Sequence, residues 1–256
     1  VGNYINILMY HQVGDFEPMR AHRSTYCHYR RFAAQMAYLH RFGYNVLRME
    51  AVLDCLSGKR PVPARAVALT FDDGYENFYE YAYPELERYG FPAMVYLIAD
   101  LIGRDAAWFA QDRRSTPALM AAARIRQLHQ AGVDFGSHGA SHVKLGEQDE
   151  ARIREEVVRS KSVLEDLLGV PVGHFCYPYG SYDLRALKAV EEAGYSSATT
   201  CVRAPARPGD DPLALPRKAI SFGDTLPGVF WKLHFKHTPK GDWPRRSAPM
   251  GGAVSL

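Results

Sequence analysis

The chain has 256 residues, 47% of them hydrophobic, with 31 Lys and Arg against 28 Asp and Glu for a formal charge of +3. That length and apolar share can bury a full core as one β/α domain. So small a net charge excludes an electrostatic nucleic-acid binder, and no apolar run reaches the 18 or so residues that a transmembrane helix requires.

In chain order, Ile5-Asn6-Ile7-Leu8-Met9-Tyr10 predicts a first strand over 5–10 and leaves His11 at its end. A polar, basic loop follows from Met19 to Tyr26, on the side of a barrel where active sites gather. Arg20 and Arg23 are therefore candidates for an anionic substrate, although a solvated loop would read the same. Phe32, Met36 and Leu39 recur at helical spacing ahead of Gly43, before a second strand over 44–47.

The run Ala66-Val67-Ala68-Leu69 reads as a buried parallel strand over 66–71 and ends in Thr70-Phe71-Asp72-Asp73-Gly74. Successive strand side chains face opposite ways, so both carboxylates can serve one site only if the backbone turns there, which Gly74 permits. Alone, such a tripeptide is most simply a turn that caps a helix beginning near Tyr75. As a functional pair, two close carboxylates need a cation or a strong donor, or one of them takes up a proton near neutral pH.

A fourth strand is expected over 93–99. Thr116-Pro117 predicts the cap and first position of a helix running to Leu128 and Ala131, with Gly132 as its stop. The next strand, over 133–137, ends in Ser137-His138-Gly139-Ala140-Ser141-His142. Two imidazoles four residues apart fall on one side of a helical turn or tight loop and can grip one metal ion. One carboxylate and two His make three protein ligands, which leaves room for water and substrate as in a catalytic metal site.

Ile153, Val157, Leu164 and Leu168 mark a core-facing helix stopped by Gly169, with Glu155 and Arg159 as an exposed pair four residues apart. Strands over 172–177 and 195–200 bring the count to seven. Cys27, Cys55, Cys176 and Cys201 contain no Cys-x-x-Cys pair, so free, buried thiols are expected.

Taken together, Thr70 to Gly74, His138 to His142 and Tyr177-Pro178-Tyr179-Gly180 resemble the polysaccharide deacetylases of carbohydrate esterase family 4, which share the NodB homology domain. The resemblance covers roughly residues 5–220. It implies an irregular (β/α)7 barrel of the NodB type. It also implies that Asp73, His138 and His142 bind one divalent metal, zinc in the first place, with nickel, cobalt, manganese and iron as alternatives. Asp72 would be the general base, and Tyr179 and Gly180 would lie in the substrate groove, the Tyr179 N–H helping to stabilise the oxyanion.

The Met9-Tyr10-His11 opening is similar to the branch that deacetylates bacterial exopolysaccharides, in which an N-terminal His is the acid. His234, in Trp231-Lys232-Leu233-His234, is the rival, and His11 is preferred for its place at a strand end. Two departures from the family pattern matter. Cys176 stands where the family's base-orienting Arg is usual, so Arg217, a planar donor suited to a carboxylate, is the expected replacement. Gly139 replaces a usual Ser or Thr.

These readings predict a catalytic domain over 1–237 and a flexible tail over 238–256. The expected activity is removal of an N-acyl group, acetyl first, from an amino sugar of a glycan or glycan precursor. An amidase for non-sugar substrates and a sugar-binding module without turnover are the alternatives. The expected partner is an N-acylated amino sugar or glycan and not a nucleic acid; a homo-oligomer stays open. A cytoplasmic location is expected, with a removed leader ahead of Val1 left open.

Overall fold

The computed structural model describes residues 3–19, 22–112, 115–240 and 244. Arg20 and most of the tail expected over 238–256 thus lie outside the described residues.

The apolar runs form one curled parallel sheet. Its strands are β1 (Asn6–Tyr10), β4 (Asn45–Val46), β5 (Ala66–Phe71), β6 (Met94–Leu97), β7 (Asp134–Ser137), β8 (His174–Cys176), β9 (Ser197–Thr199) and β10 (Lys218–Ala219). The order is β10-β1-β5-β6-β7-β8-β9, with β4 paired to the first two residues of β5. Between β9 and β10 the ring is joined through an isolated parallel bridge, Thr199 to Leu215. This is the irregular barrel expected from the sequence, with one exchange. The two-residue β10 holds a place in the ring, and β4 is a side branch of β5. A small parallel pair, β2 (Gln12–Gly14) and β3 (Tyr26–His28), lies outside the sheet.

Among the described residues, seven α-helices alternate with these strands: α1 (Tyr29–Arg41), α2 (Met49–Leu56), α3 (Tyr83–Tyr89), α4 (Ala122–Gln130), α5 (Glu150–Leu168), α6 (Leu184–Glu192) and α7 (Leu226–His234). Strand alternation separates two cores. Leu8, Tyr10, Val67, Leu69, Phe71, Val95 and Leu97 pack outward with Phe32, Met36 and Leu39 of α1 and Ile153, Val157 and Leu164 of α5. Ile7, Ala66, Ala68, Met94, Tyr96 and Cys176 form a second cluster with Met49, Val52, Cys55 and Leu56 of α2. At about 25 cal/mol per Å² of apolar surface removed from water, these clusters dominate the favourable side of folding. No helix among the described residues is long and apolar enough to cross a membrane.

Two helix starts differ from expectation. Helical structure begins not near Tyr75 but at Phe78, as a π-helical stretch, Phe78–Ala82, that runs into α3. Pro84 in the first turn of α3 has no N–H to give, and the helix widens just ahead of it. Thr116 and Pro117 do not open a helix either, since α4 starts at Ala122. The chain before α4 is instead held extended: Glu76 N–H donates to Ala118 O, and Met120 N–H donates to Gly74 O. Those bonds clip it to the turn that carries Asp72 and Asp73.

Candidate metal centre and catalytic cleft

Alternation along β5 places Ala66, Ala68 and Thr70 on one face, and Asp72 continues that face beyond the strand end. Asp73 would then point away. Its own φ of 73° and the φ of 73° at Gly74 put two successive residues in the left-handed region and swing the second carboxylate back to the same cleft. The φ of 73° at Gly74 is what calls for glycine in this turn; a Cβ there would also displace the Leu97 Cδ2 methyl, 2.6 Å away.

His138 leaves the end of β7, its N–H donating to Leu97 O at 2.7 Å. The chain to His142 is a tight loop and not a helical turn, with positive φ at Gly139 and at His142. This brings His138 Nε2 to 3.3 Å and His142 Nε2 to 3.4 Å from Asp73 Oδ1. One ligand atom from each of the three residues lies within 4.8 Å of the others, and all three residues are buried.

Tetrahedral bonds of about 2.0–2.1 Å to imidazole nitrogen and carboxylate oxygen place ligand atoms about 3.3–3.4 Å apart, so these separations fit a zinc-sized ion. The supporting bonds fit too. Tyr75 Oη donates to Asp73 Oδ2 at 2.7 Å, leaving Oδ1 for the ion. His138 Nδ1 is 2.8 Å from Cys176 O, which sets Nδ1 as a protonated nitrogen and turns Nε2 toward Asp73. Burial, aided by the neighbouring imidazoles, outweighs Asp73 and lowers His142 to about 4, so its ring is neutral at pH 7 as a ligand must be. Asp72, His138 and Cys176 also converge, but Asp72 is already gripped by a cationic side chain.

That side chain is Arg217, just ahead of β10. Its Nη1 and Nη2 donate to Asp72 Oδ1 and Oδ2 at 2.6 and 2.7 Å, a bidentate pair in which both side chains are buried. Arg217 Nε donates to Thr200 O, Nη1 also to Thr70 Oγ1, and Nη2 lies 3.1 Å from Cys176 Sγ. Burial alone would raise the Asp72 carboxyl; the charge and hydrogen bonds of Arg217 prevail and hold it below the usual carboxylate range.

His11 follows β1 and brings Nε2 to 3.9 Å from Asp72 Oδ2, at the edge of the cleft. His234 is elsewhere: its Nε2 lies 2.8 Å from Tyr44 Oη, and its ring packs on Phe230. Only His11 of the two rivals lines the cleft, whose volume is about 340 Å³. Tyr179, with φ of 58°, packs on the His142 ring in a tilted arrangement at 4.5 Å, and Trp108 packs on the same ring at 4.6 Å. Gly180 shapes the turn behind Tyr179, where a Cβ would come 2.6 Å from that of Cys201. His22 and Thr25 from the basic loop also line the cleft.

Trp108 and the buried Glu156, which holds the His138 to His142 loop, were not singled out from the sequence. Trp108 lies in a stretch without periodicity, and Glu156 sits one residue from the pair-forming Glu155 with nothing local to set it apart.

The polysaccharide deacetylase family model matches residues 59–198, more than half of the chain. The chain belongs to the polysaccharide deacetylase family. It is 29% identical over 218 residues to the protein YxkH of Bacillus subtilis (strain 168); the match covers 85% of this chain and 71% of that protein. It is 23% identical over 192 residues to the poly-beta-1,6-N-acetyl-D-glucosamine N-deacetylase of Escherichia coli (strain K12), covering 63% of this chain and 29% of that enzyme. Among solved structures, the Streptococcus pyogenes deacetylase PplD in complex with acetate superposes with a TM-score of 0.77 at 25% identity, covering 90% of this chain and 98% of that one. The fold is the NodB-type barrel, and the family makes the chain a carbohydrate deacetylase hydrolase by kinship.

Proposed function

We propose that the chain is a metal-dependent N-deacetylase that hydrolyses the acetamido group of an N-acetylated amino sugar within a glycan, with β-1,6-linked N-acetylglucosamine as the first candidate. The observation that carries this reading is the convergence, in one cleft, of an Asp73, His138, His142 donor set with the Asp72–Arg217 pair and His11. Asp73, His138 and His142 would hold a divalent ion, which when bound would supply Lewis acidity for the amide carbonyl and lower the pKa of water toward neutral.

The chain's own residues do the rest. Arg217 keeps Asp72 ionised, so Asp72 Oδ2 takes the proton of the attacking water. The Tyr179 N–H helps to hold the oxyanion. His11 Nε2, on the same side as Asp72, gives a proton to the departing amine nitrogen. Water and amide thus become acetate and a free amine. Trp108 and Tyr179, both packed on His142 and both lining the cleft, offer aromatic surface for the apolar face of a sugar ring.

A binding module without turnover is the weaker reading. Lack of the family's usual base-orienting Arg at position 176 would favour it, but Arg217, just ahead of β10, donates to Asp72 instead. The test is acetate release from a β-1,6-linked N-acetylglucosamine oligomer. The reading expects release with zinc-loaded wild type and at least a hundredfold loss in Asp72→Asn; no release from that or any other N-acetylated glycan would overturn it.

A further inference from the structure

Glu156 projects from α5 and is completely buried, 0% exposed, yet the reaction has no use for it. Its Oε2 accepts from the N–H groups of Ala140 at 2.9 Å and Ser141 at 2.8 Å, both between the two histidines. Its Oε1 accepts from Ser141 Oγ and from Arg152 Nη2, the latter at 2.6 Å. A buried carboxylate is expensive unless every acceptor site finds a donor, and here four donors converge on it.

The same loop is fastened from its other side. Ala99 N–H donates to Gly139 O at 3.1 Å, and Asp100 N–H donates to Ala140 O at 2.9 Å. Gly139 N–H donates to Ser137 Oγ at 3.1 Å, and Ser137 Oγ in turn bonds Ser160 Oγ of α5 at 2.7 Å. Between the two histidines, the N–H groups of residues 139, 140 and 141 all have acceptors in or beside α5. Gly139 takes a φ of 76°, a left-handed turn that glycine adopts without strain and that aims the neighbouring N–H groups at α5.

We infer that Glu156 is a positioning residue for the metal centre: it gathers the N–H groups of Ala140 and Ser141 and so fixes the spacing at which His138 and His142 face Asp73. The inference rests on the metal-centre reading above. Without its carboxylate, two buried N–H groups lack an acceptor, and the loop relaxes toward conformations in which the imidazoles no longer share one ion. Partners that orient metal-binding side chains typically change affinity about 10- to 100-fold when removed.

The test is a zinc titration of metal-free protein against a chromophoric chelator, with folding checked by circular dichroism and the zinc-induced rise in Tm measured alongside. Glu156→Ala should bind zinc at least tenfold more weakly than wild type while folded, with a smaller rise in Tm. Glu156→Gln keeps one carbonyl oxygen for the two N–H groups but turns an amide donor toward Arg152, so it should fall between them, at least threefold weaker. A purely structural Glu156 would lower the metal-free Tm and leave zinc affinity unchanged. Wild-type affinity in folded Glu156→Ala overturns the inference; if that variant does not fold, wild-type affinity in Glu156→Gln does so. Failure of wild type itself to bind zinc would overturn the metal-centre reading and this one with it, whereas equal binding by wild type and variant removes this one alone.

Discussion

Arg217 and Asp72 are 145 residues apart in sequence, yet both outer nitrogens of the guanidinium close on the two carboxylate oxygens at 2.6 and 2.7 Å inside the barrel. The pair has little access to solvent, so its charges act at short range and with little screening. Thr70, Cys176 and the Thr200 carbonyl surround the guanidinium and leave it one orientation.

Removing Arg217 leaves an uncompensated buried carboxylate, which typically costs about 3–5 kcal/mol of stability. The catalytic consequence has a definite sign. Asp72 acts as a base only when ionised, and without Arg217 the burial that remains drives its pKa upward. A folded Arg217→Met variant should therefore lose kcat/KM at higher pH than wild type as the solution is acidified, and a pH–rate profile reads this directly. An unmoved acid limb, or an unchanged rate, would take Arg217 out of the mechanism.

His11 and His234 make opposite predictions. His11→Ala should lower kcat by a factor of about 10² or more while zinc content stays at the wild-type level. His234→Ala, which removes a partner of Tyr44 outside the cleft lining, should stay within about twofold of wild type. A large rate loss in His234→Ala with His11→Ala active would reverse the assignment.

Trp108 tests the sugar platform. Aromatic faces contribute about 0.5–1.5 kcal/mol beyond area burial, so Trp108→Ala should raise KM for an N-acetylglucosamine oligomer by roughly tenfold with a smaller change in kcat. Zinc titration of the same variant separates this from a loosened His142, whose ring Trp108 also covers. A KM unchanged within error would remove Trp108 from substrate contact.

Away from the site, Lys218 on β10 is buried and donates to Lys232 O at 2.6 Å, with no carboxylate paired to it among the described residues. Burial first, then Arg207 and Arg203, lower its pKa to about 7. Between about pH 7 and pH 10 the unfolded chain carries this proton and the folded one does not, so the residue's contribution to stability rises with pH over that window. The wild-type Tm minus that of Lys218→Met should accordingly increase from pH 7 to pH 10. A pH-independent difference would mean that the amine titrates normally.

The sequence made the scaffold legible wherever strands are long apolar runs, as at residues 5–10 and 66–71, because burial on both faces leaves a continuous signal. Asp72, Asp73, His138 and His142 stood out because polar residues at the ends of such runs have no packing reason to be there. The two-residue β10 was too short to register, although the Arg217 beside it was flagged through the gap left at Cys176. Tyr75 and Thr116 misled for one reason: local helix-start chemistry lost to backbone bonds made by distant segments, Gly74 with Met120 and Glu76 with Ala118. Trp108 and Glu156 acquire their roles only through tertiary contact, which no local spacing encodes.

The measurement that bears most directly on the account is metal stoichiometry, by elemental analysis of purified wild type beside His138→Ala, with both shown to be folded by circular dichroism. The account predicts close to one zinc or similar divalent ion per chain in wild type and its loss in the folded variant; wild type that takes up no metal even after supplementation, or a variant that keeps it, would contradict a centre built on Asp73, His138 and His142.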